Sequence, residues 1–274
     1  MSDLPERVIW VNGLPRSGTS WLCQIVDSSE EVEFRMAPLF SFQFRNTMQI
    51  SDTEERWKQY FADVYNSDDE WMAQMNRRKI GSFPTFEKKL TPPPFLAIKD
   101  VRHHNFIEHL LALNIDLKVL HIIRDPRAAI HSWLANPKEF PQDADPMLNW
   151  RSGSIRKINE NEFWGFDDWI KLSRMYSDLQ ARYPEKVHII RYEELVENPT
   201  DETKEFFKKL GLEFQEQTKS FLMSSTSGNS GDPFSVFKDK TVLDKWRTGL
   251  DPKIASEIEL VLRGTDLEKY LYEQ

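Results

Sequence analysis

The chain is poor in cysteine, in long apolar runs and in excess positive charge, and each shortage narrows what it can be. One cysteine, Cys23, among 274 residues excludes a disulfide framework and any multi-cysteine zinc or iron–sulfur site, and predicts a reducing, cytoplasmic setting. The best apolar stretch, residues 117–123, falls far short of the roughly eighteen residues that cross a bilayer, so no membrane span is expected. The polar start of the chain has no basic stretch leading into an apolar one, which argues against an export signal. Lys and Arg number 36 against 44 Asp and Glu, a net charge of −8 that disfavours a nucleic-acid surface but leaves room for a local basic pocket. None of the six His falls in a recognised metal-ligand spacing, so no metal is expected. What the chain does have is a core: hydrophobic residues are 39% and aromatics 12%, so the mean hydropathy of −0.59 reflects a charged surface, not disorder. Its length suits a single domain spanning residues 1–274.

Short apolar runs alternate with helical patterns along most of the chain. Strands are expected over residues 7–12, 95–98, 117–123 and 186–191, and helices over 17–27, 105–113, 128–135, 167–183, 200–210 and 252–263. Residues 29–50 read as irregular and 137–166 as a long surface segment with some helix. An acidic helical stretch ahead of Pro92-Pro93-Pro94 predicts a helical insertion at about 50–94, and the Ser/Gly/Asn-rich composition near residue 230 predicts a mobile loop at about 224–240. Repeated strand–helix–strand units point to an α/β fold: a central parallel sheet of about four or five strands with helices on both faces, P-loop-containing, as in nucleotide kinases.

Two segments carry chemistry. In Val8-Ile9-Trp10-Val11-Asn12-Gly13-Leu14-Pro15-Arg16-Ser17-Gly18-Thr19-Ser20-Trp21 a strand delivers a glycine-containing loop into a helix N-terminus. Unpaired N–H groups and the helix dipole favour a phosphate or sulfate there, and Arg16 with the hydroxyls of Ser17, Thr19 and Ser20 adds donors. The pattern nearly fits a nucleotide P-loop, except that Thr19 stands where the phosphate-reaching Lys belongs. In the second segment, Ile123-Arg124-Asp125-Pro126-Arg127 through Ser132, an apolar strand ends at Arg124 and Ser132 lies on the helix that follows. Ligands of open α/β sheets bind at such carboxyl ends. The aromatic residues Trp133, Phe140, Trp150, Phe163, Trp164, Phe166 and Trp169 fit either the core or the wall of an acceptor pocket.

These segments, with Arg191-Tyr192-Glu193-Glu194-Leu195 and Trp246-Arg247, resemble the sulfotransferases that use 3′-phosphoadenosine 5′-phosphosulfate (PAPS). The resemblance runs from about residue 8 to 262 and is weakest between 29 and 94. It implies a transferase that moves a sulfuryl group from PAPS to a hydroxyl, less readily an amine, of a small-molecule or carbohydrate acceptor, releasing 3′,5′-adenosine bisphosphate without a metal. It further implies that Arg16, Ser17, Gly18, Thr19, Ser20 and Trp21 hold the 5′ end, that Arg124 and Ser132 hold the 3′-phosphate, and that Tyr192 lies near the adenine. Lys240, with Lys238 nearby, is what remains of the family's basic C-terminal clamp, Asp239 standing where an Arg is common. Lys99 and Arg16 would face the transferring group and His103 would be the general base, with Val101 at the position of the cytosolic branch's His. A helix opening near Lys99 would bring Lys99 and His103 to one face. Two other readings stay open at this point: a P-loop kinase or NTPase with Asp125 on Mg²⁺, and a non-catalytic anion-binding protein. Nothing in the sequence sets the oligomeric state or the identity of the acceptor.

Overall fold

The computed structural model describes residues 4–228, 236–237 and 239–273. Five strands, β1 (Arg7–Gly13), β2 (Val32–Met36), β3 (Phe95–Lys99), β4 (Leu117–Ile123) and β5 (Val187–Arg191), form one sheet in the order β2-β3-β1-β4-β5. Every pairing is parallel. Parallel strands need covering on both faces and therefore read as unbroken apolar runs. In β1, Val8 and Trp10 enter one core layer while Ile9 and Val11 enter the other. In β4, Val119 and Ile123 enter the first and Leu120 and Ile122 the second. The helices Glu54–Tyr65, Ile107–Ala112, Pro126–Leu134, Gly165–Arg182 and Pro252–Leu262 close the Trp10 layer; Thr19–Asp27, Tyr192–Glu197, Pro199–Leu210 and Glu216–Thr226 close the other.

The fifth strand, β2, lies in the stretch read as irregular. Arg35, next to its last residue, breaks the apolar pattern together with Glu33. Its guanidinium is buried and donates to the carbonyls of Val64 (3.2 Å), Tyr65 (3.0 Å) and Ser67 (2.6 Å), so a charged residue occupies a strand interior without an unsatisfied donor there. The insertion is less helical than its composition implies: helix forms over Glu54–Tyr65 and Met75–Lys79, and residues 80–94 contain none. The segment 137–166 is not confined to the surface, because Phe140, Trp150, Phe163 and Trp164 are all buried. The start of the expected mobile loop belongs to helix Glu216–Thr226, while residues 229–235 and Lys238 lie outside the described residues.

Beneath the carboxyl ends of β1 and β4 sits a buried polar knot. Asn12 donates to the Tyr176 hydroxyl at 2.6 Å, His104 Nδ1 meets the same oxygen at 2.8 Å, and His121 Nδ1 meets Asn12 Oδ1 at 2.7 Å with its ring stacked on Tyr176. Burial pushes His104 down to about 4 and His121 well below the usual histidine range, so both rings are neutral and serve packing.

Candidate active site

All five strands are parallel, so the loops leaving β1, β3 and β4 open on one edge of the sheet. After Gly13 the chain turns through Leu14–Gly18 into helix Thr19–Asp27, with Gly18 at its cap in the left-handed region (φ 93°). A Cβ on Gly18 would stand 2.4 Å from the Tyr192 ring, so only glycine lets the loop close against it. No side chain caps this helix, which leaves its first N–H groups and the positive dipole end for an anion. Ser17 Oγ, buried at that mouth, has no hydrogen-bond partner among the described residues. Arg16 holds a left-handed φ of 73°, strain of the kind that an anion-gripping loop stores.

The second motif is tied to the first. Arg16 Nε donates to Ser132 Oγ at 3.2 Å, and Arg124 Nη1 donates to the Arg16 carbonyl at 3.1 Å. Arg124 Nη2 reaches the Val242 carbonyl at 2.9 Å, and the guanidinium carbon lies 4.6 Å over the Tyr192 ring. Arg124 Nε is buried without a partner among the described residues. Trp21 meets the Tyr192 ring edge-on and donates to Ser225 Oγ at 3.0 Å. Thr19 is buried at the head of its helix. Lys99, at the end of β3, donates to Ser20 Oγ at 3.1 Å. Burial first of all pushes the Lys99 amine below its usual range, and the cations Arg77 and Arg102 add to this. Lys240 begins the 3₁₀ turn Lys240–Leu243 and donates to the Glu197 carbonyl at 3.2 Å; through Val242 the same turn touches Arg124.

Residues 99–103 are not helical. β3 ends at Lys99, the chain bends, and a 3₁₀ turn starts only at His104, because the buried Asp100 carboxylate accepts the N–H groups of Arg102 (2.8 Å) and His103 (3.2 Å) and fixes a turn there. Asp100 also meets His103 Nδ1 at 2.9 Å. Burial alone would raise the Asp100 carboxyl, but His103 and the two N–H groups outweigh it and hold it below its usual value.

Asp125 fills a structural role. Its carboxylate, 1% exposed, accepts from the Arg127 side chain, the Arg127 N–H and the Tyr272 N–H. With those partners it is not open to a Mg²⁺ ion, which removes the residue that the kinase reading needs. Beside it, Glu193 is buried and accepts the Asp125 N–H at 2.9 Å. Burial raises the Glu193 carboxyl from its ordinary 4.5 to about 7. Between those two values the folded chain keeps a proton that the unfolded chain has released, so folding stability should fall as pH rises through this window and level off above about 7. We predict that Glu193→Gln, which keeps an acceptor for the Asp125 N–H, stabilises the protein at pH 8 by up to about 3 kcal/mol and changes little near pH 4.5. Urea unfolding at both pH values checks this; an equal effect at both would mean that Glu193 does not titrate there.

Beside the cradle opens a cavity of about 290 Å³ lined by Arg16, Thr19, Ser20 and Lys99 on one side. Further round stand Phe40, Trp71, Phe163 and Trp164, together with Arg77, Arg102, Glu139 and Arg156. Of the seven aromatic residues singled out in the sequence, Phe163 and Trp164 reach this wall. Val101 and Arg102 line it as well, whereas His103 does not. Its carboxylate, Glu139, meets Arg16 Nη1 at 3.4 Å and accepts from Asn136 at 2.8 Å. Arg77, Arg102, Glu139 and Arg156 were not singled out by sequence reasoning; they come from four separate segments, and only tertiary folding brings them together.

Among known proteins, rat carbohydrate sulfotransferase 3 is 24% identical over 174 residues, 61% of this chain and 36% of that relative. The chain thus spans well under half the length of this curated relative. A mouse sulfotransferase solved in complex with PAP shares the fold, with a TM-score of 0.54 at 15% identity over 98% of this chain and 89% of that one. The sulfotransferase domain of the curacin biosynthetic pathway does likewise, at 0.54 and 18% identity over 95% of this chain and 98% of that one. Residues 9–216, which contain the β1 cradle, the Arg124–Ser132 segment and Tyr192, match the profile of the Sulfotransferase family, and this chain belongs to that family.

Proposed function

We propose that the protein transfers the sulfuryl group of PAPS to a hydroxyl of a carbohydrate or another small acceptor. The observation that carries this is the pair of buried donors without partners among the described residues, Ser17 Oγ at the helix mouth and Arg124 Nε at the end of β4, held in one site by the Arg124–Arg16–Ser132 contacts. Two orphaned donors on two linked elements suit a ligand with an anion at each end, which a 3′-phosphorylated nucleotide with a 5′-phosphosulfate is.

In the reaction the acceptor oxygen bonds to sulfur, the sulfur–phosphate oxygen bond breaks, and the bonding pair leaves with 3′,5′-adenosine bisphosphate. Arg16 and Lys99 supply positive charge where it builds on the transferring group and the leaving oxygen, and the buried setting strengthens both. His103, its Nδ1 held by Asp100, takes the acceptor proton. Glu139 is the second reading for that step, favoured by its place on the cavity wall.

Calorimetric titration tests the function. Tighter binding of 3′,5′-adenosine bisphosphate than of 5′-AMP, undiminished by EDTA, is the expected result; equal affinities, or a preference for ATP with Mg²⁺, would overturn it.

A further inference from the structure

Five cationic side chains, Arg16, Arg77, Lys99, Arg102 and Arg156, line the cavity against one carboxylate, Glu139, among the described residues. This concentration occurs in a chain whose net charge is −8. Arg16 and Lys99 belong to the transferring end of the site, and Glu139 pairs with Arg16. Arg77, Arg102 and Arg156 come from three segments outside the cradle: the helix Met75–Lys79, the turn after β3 and the 3₁₀ turn Ser154–Arg156. Arg102 is paired with Glu162, and Arg156 is the cation of this group whose Nε is buried without a partner among the described residues.

Arg156 carries the argument furthest. Its Nε is buried without a partner, and among the described residues it has no carboxylate to pair with. Its guanidinium lies 5.3 Å over the Trp164 ring. Arg102 lies 4.1 Å over Phe40 and pairs with Glu162 at 3.4 Å, so it stands beside Arg156 as a partly engaged second donor. A guanidinium half-withdrawn from water beside an aromatic face, with donors unspent, is costly unless a ligand brings the matching oxygens. Its planar fork fits a carboxylate or a sulfate ester, and the aromatic faces beside it fit a ring.

We infer that the acceptor is itself an anion: a hydroxyl-bearing ring that carries a carboxylate or sulfate, its ring against Trp164 and Phe40 and its oxoanion on Arg156 and Arg102. This rests on the sulfuryl-transfer reading and adds to it the charge of the acceptor. A cavity of about 290 Å³ sits at the small end of ligand pockets and suits one such ring unit.

The experiment is calorimetry on the full chain saturated with 3′,5′-adenosine bisphosphate, using two matched pairs of probes. One pair is 4-hydroxyphenylacetate and its amide; the other is methyl glucuronide and methyl glucoside. In at least one pair the charged member should bind about tenfold or more tightly than the neutral one, and that pair identifies a phenolic or a sugar source. Arg156→Gln and Arg102→Gln should each shrink the gap, Arg156→Lys should keep part of it, and all three should retain the wild-type affinity for 3′,5′-adenosine bisphosphate. Equal or absent binding in both pairs, or a gap that survives both Gln variants, overturns the inference alone. Failure of 3′,5′-adenosine bisphosphate to bind overturns the sulfuryl-transfer reading and takes this inference with it.

Discussion

Replacing Arg124 with alanine should raise the dissociation constant for 3′,5′-adenosine bisphosphate by about 10- to 100-fold, because charge-assisted hydrogen bonds contribute about 1.5 to 3 kcal/mol each. Affinity for 5′-AMP should stay within a few fold, since the helix mouth proposed to take the 5′ group is a separate element. The structure adds a condition. Arg124 also braces the Arg16 carbonyl, the Val242 carbonyl and the Tyr192 ring, so part of the loss could come from a loosened loop. Arg124→Lys separates the effects: it keeps the charge and loses the fork, and should fall between wild type and alanine. An equal loss for both ligands at an unchanged melting temperature would remove Arg124 from the 3′-phosphate site.

The second large effect concerns the proton. A positioned base typically contributes about 10² to 10⁴ in rate, so His103→Ala should lower single-turnover sulfuryl transfer by that order while nucleotide affinity stays within a few fold. Added imidazole should restore part of the rate. Asp100→Asn should cost less, because Asp100 positions the ring and does not reach the acceptor. The comparison that decides is Glu139→Gln, since Glu139 lines the cavity and His103 does not. If Glu139→Gln carries the larger loss and imidazole rescues nothing, the base is Glu139.

The sheet and the cradle were legible because both are local in sequence. Val8–Val11 in β1 and Leu117–Ile123 in β4 are largely apolar, the latter broken only by Lys118 and His121, and the loop after β1 announces itself by Gly13 and Gly18 flanking a Pro-Arg-Ser stretch. β2 was hidden by Arg35, whose burial is intelligible only once the carbonyls of Val64, Tyr65 and Ser67 are in place. The cavity wall was hidden for a different reason. Arg102, Glu139 and Arg156 stand on short turns and irregular stretches, and Arg77 on the five-residue helix Met75–Lys79, too short for a period of 3.6 to mark which way a side chain points. The helix expected at Lys99 does not form because β3 runs through Lys99, and Asp100 then closes a turn on the N–H groups of Arg102 and His103, so that a 3₁₀ turn begins only at His104.

The exit of β4 is closed by residues far downstream. Arg124 leans on the Val242 carbonyl, Asp125 accepts the Tyr272 N–H at 2.9 Å, and Arg127 pairs with Glu259 at 2.6 Å. Both proposed ends of the nucleotide site therefore lean on late segments: Arg124 on the turn at Val242, and Trp21 at the head of the first helix on Ser225. A chain cut short before Val242 would lose the brace behind Arg124 and Asp125, so the proposed cofactor grip depends on the docking of that C-terminal segment.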